Sequence, residues 1–268
     1  MMQNNKRKSV LAFCCGIILI GFFLHTGGFL KGNRIVFPGL PEIGQALLRL
    51  LSSGGTYKKI VVTLLHVTEA LVLSAVAGIL IGLAEASREW IYSLFRPFMI
   101  FLRSIPMIVL VIIIMSAISY YSVPVAAAFV ILIPVFSEAV YEGCHSISQE
   151  LIDVYRMNGG FSFQVAIHVY MPLISGYLKQ AFINASGTGI KVAVSAEYLV
   201  QARDSLGKAV FLSSYSSEYA EIYAYALIMI FLVLIITEVP GFLYKLYAKI
   251  KRNNITIPQK CYCKVLWW

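Results

Sequence analysis

Apolar residues in this chain come in long blocks, and the polar residues gather in the gaps between them. A hydrocarbon core of roughly 30 Å needs ~20 consecutive apolar residues if a helix is to cross it. Six blocks approach that length, at about 10–30, 60–83, 97–118, 125–143, 173–199 and 219–244. The third contains the run MIVLVIIIM and the sixth LIMIFLVLII, while the fourth carries Pro134, which predicts a kink. The fifth is the exception. It sets Lys179, Asn184, Lys191 and Glu197 among small residues. A charge at the bilayer centre costs at least ~2.5–3.5 kcal/mol on insertion scales, and small residues let helices approach closely. This helix is therefore expected to be wrapped by protein or to line a path for a polar solute. Lys191 and Glu197 stand roughly 240° apart around a helix, so a direct pair between them is not required.

Two polar intervals show a helical period of their own. In PGLPEIGQALLRLLSSGG, residues 38–55, Ile43, Leu47, Leu50 and Leu51 fall near one face. That pattern predicts an amphipathic helix at the membrane surface, ended by Gly54 and Gly55. Between the fourth and fifth blocks, Ser148 suits an N-cap and Glu150 suits the positive end of a helix dipole. Leu151, Ile152, Val154, Tyr155 and Met157 follow in amphipathic order, and Gly159-Gly160 stops them. A short helix over 148–158 is predicted, then a second segment, 161–171, leading to Pro172 at the first turn of the next span.

Composition agrees with a membrane protein. Charged residues make up 13% of the chain, about half the usual share of a soluble domain. The net charge of +9 points to anionic lipid and cytoplasmic loops and not to nucleic acid, because the basic residues sit between and beside apolar runs. Lys6-Arg7-Lys8 precedes the first block, and Lys245, Lys249, Lys251 and Arg252 follow the sixth. With six spans, both termini then lie in the cytoplasm, and the first span is expected to be an uncleaved helix. Lys31, Arg34, Arg49, Lys58 and Lys59 oppose that orientation and are outvoted by the two ends. Cys14, Cys15 and Cys144 read as packed thiols, and Cys261 and Cys263 as free tail thiols.

Glu138, Glu142 and His145 recur at i, i+4 and i+7, a spacing open to a metal site or a membrane-embedded metal-dependent hydrolase. No comparable His-Glu pair exists on another helix, since His66 and Glu69 read as an interhelical polar contact. Glu138 is therefore expected to face the bundle interior, and Arg103 to snorkel from the inner end of the third span. An ion-coupled secondary transporter is the other alternative, although no internal repeat is evident. Neither a catalytic residue nor a metal ligand is assigned.

The interval between the fourth and fifth blocks resembles the cytoplasmic loop of importer-type ABC permeases. That family's pattern is Glu-Ala-Ala, three residues, Gly, nine residues, Ile, any residue, Leu, Pro. This chain has Asp153-Val154-Tyr155, three residues, Gly159, nine residues, Val169, Tyr170, Met171, Pro172. Every spacing matches, with Val154 and Tyr155 replacing the two alanines. RPFMIFLRSIPMIVL at 96–110, IKVAVSAEYL at 190–199 and SLG at 205–207 are similar to segments of the nitrate, sulfonate and taurine group.

The resemblance implies an all-α integral membrane protein with six transmembrane helices and a cytoplasmic coupling helix between helices 4 and 5. It divides the chain into a tip and first span (1–37), a permease core (38–250, with its loop at about 146–172) and a tail (251–268). It implies a bacterial inner-membrane transport subunit, paired with a second permease subunit as a homodimer. A separate ATP-binding subunit and an extracytoplasmic solute-binding protein complete the assembly. The loop residues Glu150, Asp153, Val154, Tyr155, Arg156, Gly159, Val169 and Pro172 would dock on the ATPase. Arg103, Ser104, Pro106, Asn184, Lys191 and Glu197 are candidates for the solute path or its gate. The group carries small organic anions, oxyanions and vitamin precursors; Lys191 would suit an anion if it faces the path, and the alternative is a structural partner to a carboxylate. The chain has no Gly-x4-Gly-Lys-Ser/Thr phosphate loop. No cofactor is expected on this chain, and ATP and Mg belong to the partner.

Overall fold

The computed structural model describes residues 38–147 and 173–254, with side chains described as far as residue 237. The expected first span, the loop helix and the cysteines at 14, 15, 261 and 263 lie outside the described residues.

Every described element is helical: α1 Leu40–Ser52, α2 Gly54–Ser87, α3 Glu89–Ser104, α4 Met107–Ala117, α5 Val123–His145, α6 Ser175–Val200, α7 Leu206–Tyr215 and α8 Tyr219–Asn254. Among the described residues, α2, α5 and α8 are long and apolar enough to cross a membrane. A fourth crossing exists if the bent pair α3–α4 is taken as one span. The 26-residue α6 is long enough, but its polar residues keep it out of that group.

α1 bears out the amphipathic helix expected within residues 38–55. Ile43, Ala46 and Leu50 are buried and face α8. The helix opens on Gly39, whose N–H donates to Glu42 Oε2 at 3.0 Å, with Pro41 in the first turn. Its end differs from expectation. The break comes at Ser53 in extended backbone, and Gly54 and Gly55 begin α2. A glycine pair without positive φ need not terminate a helix, and the extended φ,ψ of Ser53 does so instead.

The expected single helix over 97–118 is two. α3 and α4 meet at 103° across Ile105-Pro106. Proline lacks an N–H and pushes the preceding residue out of the helical region, and Ile105 accordingly sits at φ −66, ψ 126. Pro97 is tolerated inside α3, and Pro134 inside α5.

α5 is the central post. Over half of its most apolar window is buried (56%), against 33% for α2 and 22% for α8. Val123, Ala127, Ala128, Leu132 and Phe136 share one apolar core with Val67, Ala70 and Leu71 of α2 and Ala185 and Ala193 of α6, and Ile228 and Leu232 of α8 extend it. The outer faces of α2 and α8 expose Leu65, Val72, Val76, Leu80, Ile230, Phe231 and Leu234, as lipid-facing surfaces should.

At the end of the bundle holding the α6–α7 turn, Lys58 Nζ lies 2.7 Å from Asp204 Oδ2. The hydrogen bond from Lys58 holds the Asp204 carboxyl below the ordinary carboxylate range. A depressed folded value stabilises above the unfolded pKa, and that support is lost as pH falls through the folded value. Both side chains are exposed (66% and 40%), so solvent screens the pair. Asp204→Asn is expected to move the thermal midpoint barely at neutral pH. The small difference should vanish once the carboxyl is protonated, as unfolding scans in acid and at neutrality can check.

Candidate functional site

Three polar assemblies stand out against this apolar frame. The first is centred on Glu197 near the end of α6, whose side chain is fully buried. Its Oε2 accepts from Thr63 Oγ1 at 2.9 Å and from the Gly207 N–H at 3.1 Å, while His66 Nδ1 lies 2.7 Å from Oε1. Thr63 Oγ1 also accepts from the Leu206 N–H at 3.0 Å, and Ser205 Oγ from the Lys208 N–H at 3.1 Å. A helix start leaves its first N–H groups without intrahelical partners. Here α7 has the first three satisfied, two of them by side chains from α2 and α6. The carboxyl also meets the positive end of the α7 dipole. Gly207 is required by the close approach, because a Cβ there would lie 2.5 Å from the Val194 carbonyl oxygen and 2.6 Å from the Tyr198 nitrogen. One carboxyl group thus ties α2, α6 and α7 together.

The second assembly lies where α2, α3 and α5 meet. Glu85, 4% exposed, accepts a hydrogen bond from Ser137 Oγ at 2.6 Å. Beside it, the Arg103 guanidinium donates to the Pro134 carbonyl at 2.9 Å and pairs with Glu138. Tyr92 of α3 stacks on Tyr141 of α5, with centroids 4.2 Å apart and planes 8° from parallel.

The third is a stripe on α6. Gln180, Asn184, Lys191 and Ser195 are all exposed and fall within roughly 60° of arc at 3.6 residues per turn. Gln180 Nε2 donates to Asn184 Oδ1 at 3.2 Å. On the opposite side of the helix, Ala181, Ala185, Gly189, Val192, Ala193 and Ala196 are buried against the bundle.

The six residues expected at a path or gate do not form one site. Arg103, Ser104 and Pro106 cluster at the α3–α4 junction, where Ser104 Oγ donates to the Ile100 carbonyl at 2.8 Å and Pro106 caps α4. Asn184 and Lys191 share the exposed stripe. Glu197 lies in neither group, being fully enclosed between helices. Its partners are Thr63, His66 and Gly207, so the absence of a direct Lys191 pair holds. His66 makes its interhelical contact with Glu197, while Glu69 is exposed. Glu138 does not face the interior. It is 55% exposed and paired with Arg103, which is anchored there by the carbonyl that Pro134 presents. His145 Nδ1 meets its own helix at the Tyr141 carbonyl, 2.9 Å away. The docking residues Glu150, Asp153, Val154, Tyr155, Arg156, Gly159, Val169 and Pro172 lie outside the described residues.

Sequence reasoning missed Thr63, Ser137 and the part played by Glu85. The signal was a carboxyl, Glu85, ending a face of small residues, Ser74, Gly78 and Gly82, in a largely apolar span.

Comparison with known proteins places these features in context. Residues 74–252 match the family described as binding-protein-dependent transport system inner membrane component. No curated protein matches the sequence. Among solved structures, the chain is similar to one of the MetNI methionine ABC transporter in inward-facing conformations, at 17% identity and a TM-score of 0.58, covering 71% of this chain and 93% of that one. It is also similar to a bacterial ABC transporter involved in the import of the acidic polysaccharide alginate. There the identity is 14% and the TM-score 0.61, over 95% of this chain and 98% of that one. Identities this low speak for the fold.

Proposed function

The chain belongs to the family of binding-protein-dependent transport system inner membrane components, and from that premise we propose that it is the permease subunit of an ATP-driven importer, working as a homodimer whose solute path runs beside α6. The observation that carries this reading is the exposed polar stripe of Gln180, Asn184, Lys191 and Ser195 on a bundle helix. A cation and amides facing lipid would be costly. Facing a second copy across a hydrated path, they are solvated, and two Lys191 side chains would favour an anionic solute. The nitrate-, sulfonate- and taurine-like sequence segments support a small organic anion, an oxyanion or a vitamin precursor. Family membership sets aside the ion-coupled carrier and the membrane hydrolase.

Energy would come from a separate ATP-binding subunit, with solute delivered by an extracytoplasmic binding protein. The loop around Asp153 to Pro172 would transmit the ATPase motion, which requires a short segment pinned at both ends. Both termini would then lie in the cytoplasm. The test is uptake by membrane vesicles carrying the subunit with its ATPase. Transport should require ATP and survive collapse of the ion gradients, and the reverse dependence would sink the reading. Gly159→Val is expected to leave the subunit in the membrane and the ATPase bound, while uptake per ATP hydrolysed falls. Unchanged uptake in that variant would remove the loop from the mechanism.

A further inference from the structure

The cleft between α3 and α5 is not needed by the transport mechanism above, and it has its own chemistry. Its volume is about 230 Å³, and Glu85, Arg96, Arg103, Glu138, Glu142 and Tyr141 supply its polar lining. That is room for a small polar group, below the ~300–1,000 Å³ of a drug-sized pocket. Two of its charges are engaged with each other, Arg103 with Glu138, and Glu85 is held by Ser137. Arg96 has its guanidinium 5.7 Å from the centre of the Tyr92 ring, and among the described residues no carboxylate lies within ion-pair distance of it. Glu142 is exposed on the opposite wall. With three carboxyl groups against two guanidinium groups, the lining offers an anion one uncommitted arginine but leaves carboxyl groups in excess. A purely anionic guest would meet those carboxyl groups unneutralised. A guest carrying both a phosphate and an ammonium group satisfies both walls.

The placement supplies such a guest. α3 has three faces. One packs inward through Met99 and Leu102, and one carries Arg96 and Arg103 toward the cleft. The third exposes Trp90, Leu94, Phe98 and Phe101, which at 3.6 residues per turn share roughly 80° of arc. An exposed aromatic and aliphatic face beside a charged cleft is the arrangement of a helix at the boundary between headgroups and acyl chains. The apolar face can lie against the acyl chains of the same molecule whose headgroup enters the cleft.

We propose that the α3–α5 cleft binds the headgroup of phosphatidylethanolamine, with the phosphate on Arg96 and the primary ammonium group on Glu142, and the acyl chains along the Trp90–Phe101 face. The inference needs only membrane placement and is independent of which solute is carried.

The full-length chain, purified in mild detergent and equilibrated with equimolar phosphatidylethanolamine and phosphatidylglycerol, can be read by native mass spectrometry. One phosphatidylethanolamine per chain should be retained several-fold over phosphatidylglycerol. That selectivity should disappear in Arg96→Gln/Glu142→Gln and persist in Lys58→Gln, at the far end of the bundle. Both altered residues are exposed, and an unchanged thermal midpoint will confirm folding. If the double variant fails to fold, Glu142→Gln alone should erase the preference for the ammonium-bearing lipid. Equal retention of the two lipids by the wild type, preference for phosphatidylglycerol, or selectivity that survives the variants overturns the proposal. So does loss of the lipid when the ATPase subunit binds, which would mark the cleft as a protein-docking groove.

Discussion

Glu197→Leu is expected to unfold the α6–α7 corner, the largest single effect on stability among the polar residues of this protein. Leucine fills a similar volume but accepts no hydrogen bond. The substitution leaves the Thr63 hydroxyl, the Gly207 N–H and the His66 ring facing an apolar group in a fully buried site. A buried donor left without its acceptor costs ~1–3 kcal/mol, so the Thr63 hydroxyl and the Gly207 N–H alone place the loss at roughly 2 kcal/mol or more. Two starting N–H groups of α7 depend on this cluster, so the helix should fray from its first turn. Thermal unfolding of the purified chain measures the loss, and faster amide exchange at residues 206–209 locates it. Glu197→Gln keeps one acceptor oxygen and should fall between leucine and the wild type. A leucine variant with an undisturbed melting curve would show that the buried carboxyl ties nothing together.

Gly82→Leu is expected to be as damaging for a different reason. A Cβ at Gly82 would lie 2.6 Å from the Ser137 carbonyl oxygen and 2.7 Å from the Val140 Cβ. One turn earlier, a Cβ at Gly78 would lie 2.8 Å from the Ile133 carbonyl oxygen. These are backbone and Cβ atoms, which no change of rotamer can move aside. The axes of α2 and α5 would have to separate along their shared face, and overpacking of this kind costs ~1–3 kcal/mol and at times more. Separation would also draw Ser137 away from Glu85, adding a buried carboxyl without its donor. The yield of folded protein from membranes and its melting temperature should both drop. Gly44→Ala is the control, since nothing lies within 4 Å of a Cβ there. It should be neutral or gain up to ~1 kcal/mol from helix propensity.

The apolar blocks located α2, α5 and α8 because a span must be apolar over its length whatever it packs against. The amphipathic helix α1 was legible for a related reason, as the buried Ile43 and Leu50 repeat at a helical interval. The bend at Ile105-Pro106 was written in the sequence as the proline itself, but MIVLVIIIM gives the same hydropathy whether the chain runs straight or turns. Hydropathy averages over direction. The Glu197 cluster was half legible. A carboxyl in a membrane helix announced that it needed partners, yet Thr63 and His66 lie more than 130 positions away. Threonine and histidine on an apolar helix carry no sign of which neighbour they will meet. The split of the six path residues into three locations was likewise invisible, since spacing along a helix fixes a face and not what covers it.

The bend in the α3–α4 pair also sets a condition on water. α4 has 11 residues, about 16 Å of helix at 1.5 Å per residue, or roughly half the hydrocarbon thickness. It cannot cross alone. Where the helix breaks, Pro106 brings no N–H to the Leu102 carbonyl, and the starting N–H groups of α4 have no preceding turn to bond to. In pure hydrocarbon each such group would cost several kcal/mol. The break at Ile105-Pro106 must therefore be bathed by water or covered by polypeptide, which makes it a point on this bundle that lipid chains alone cannot surround.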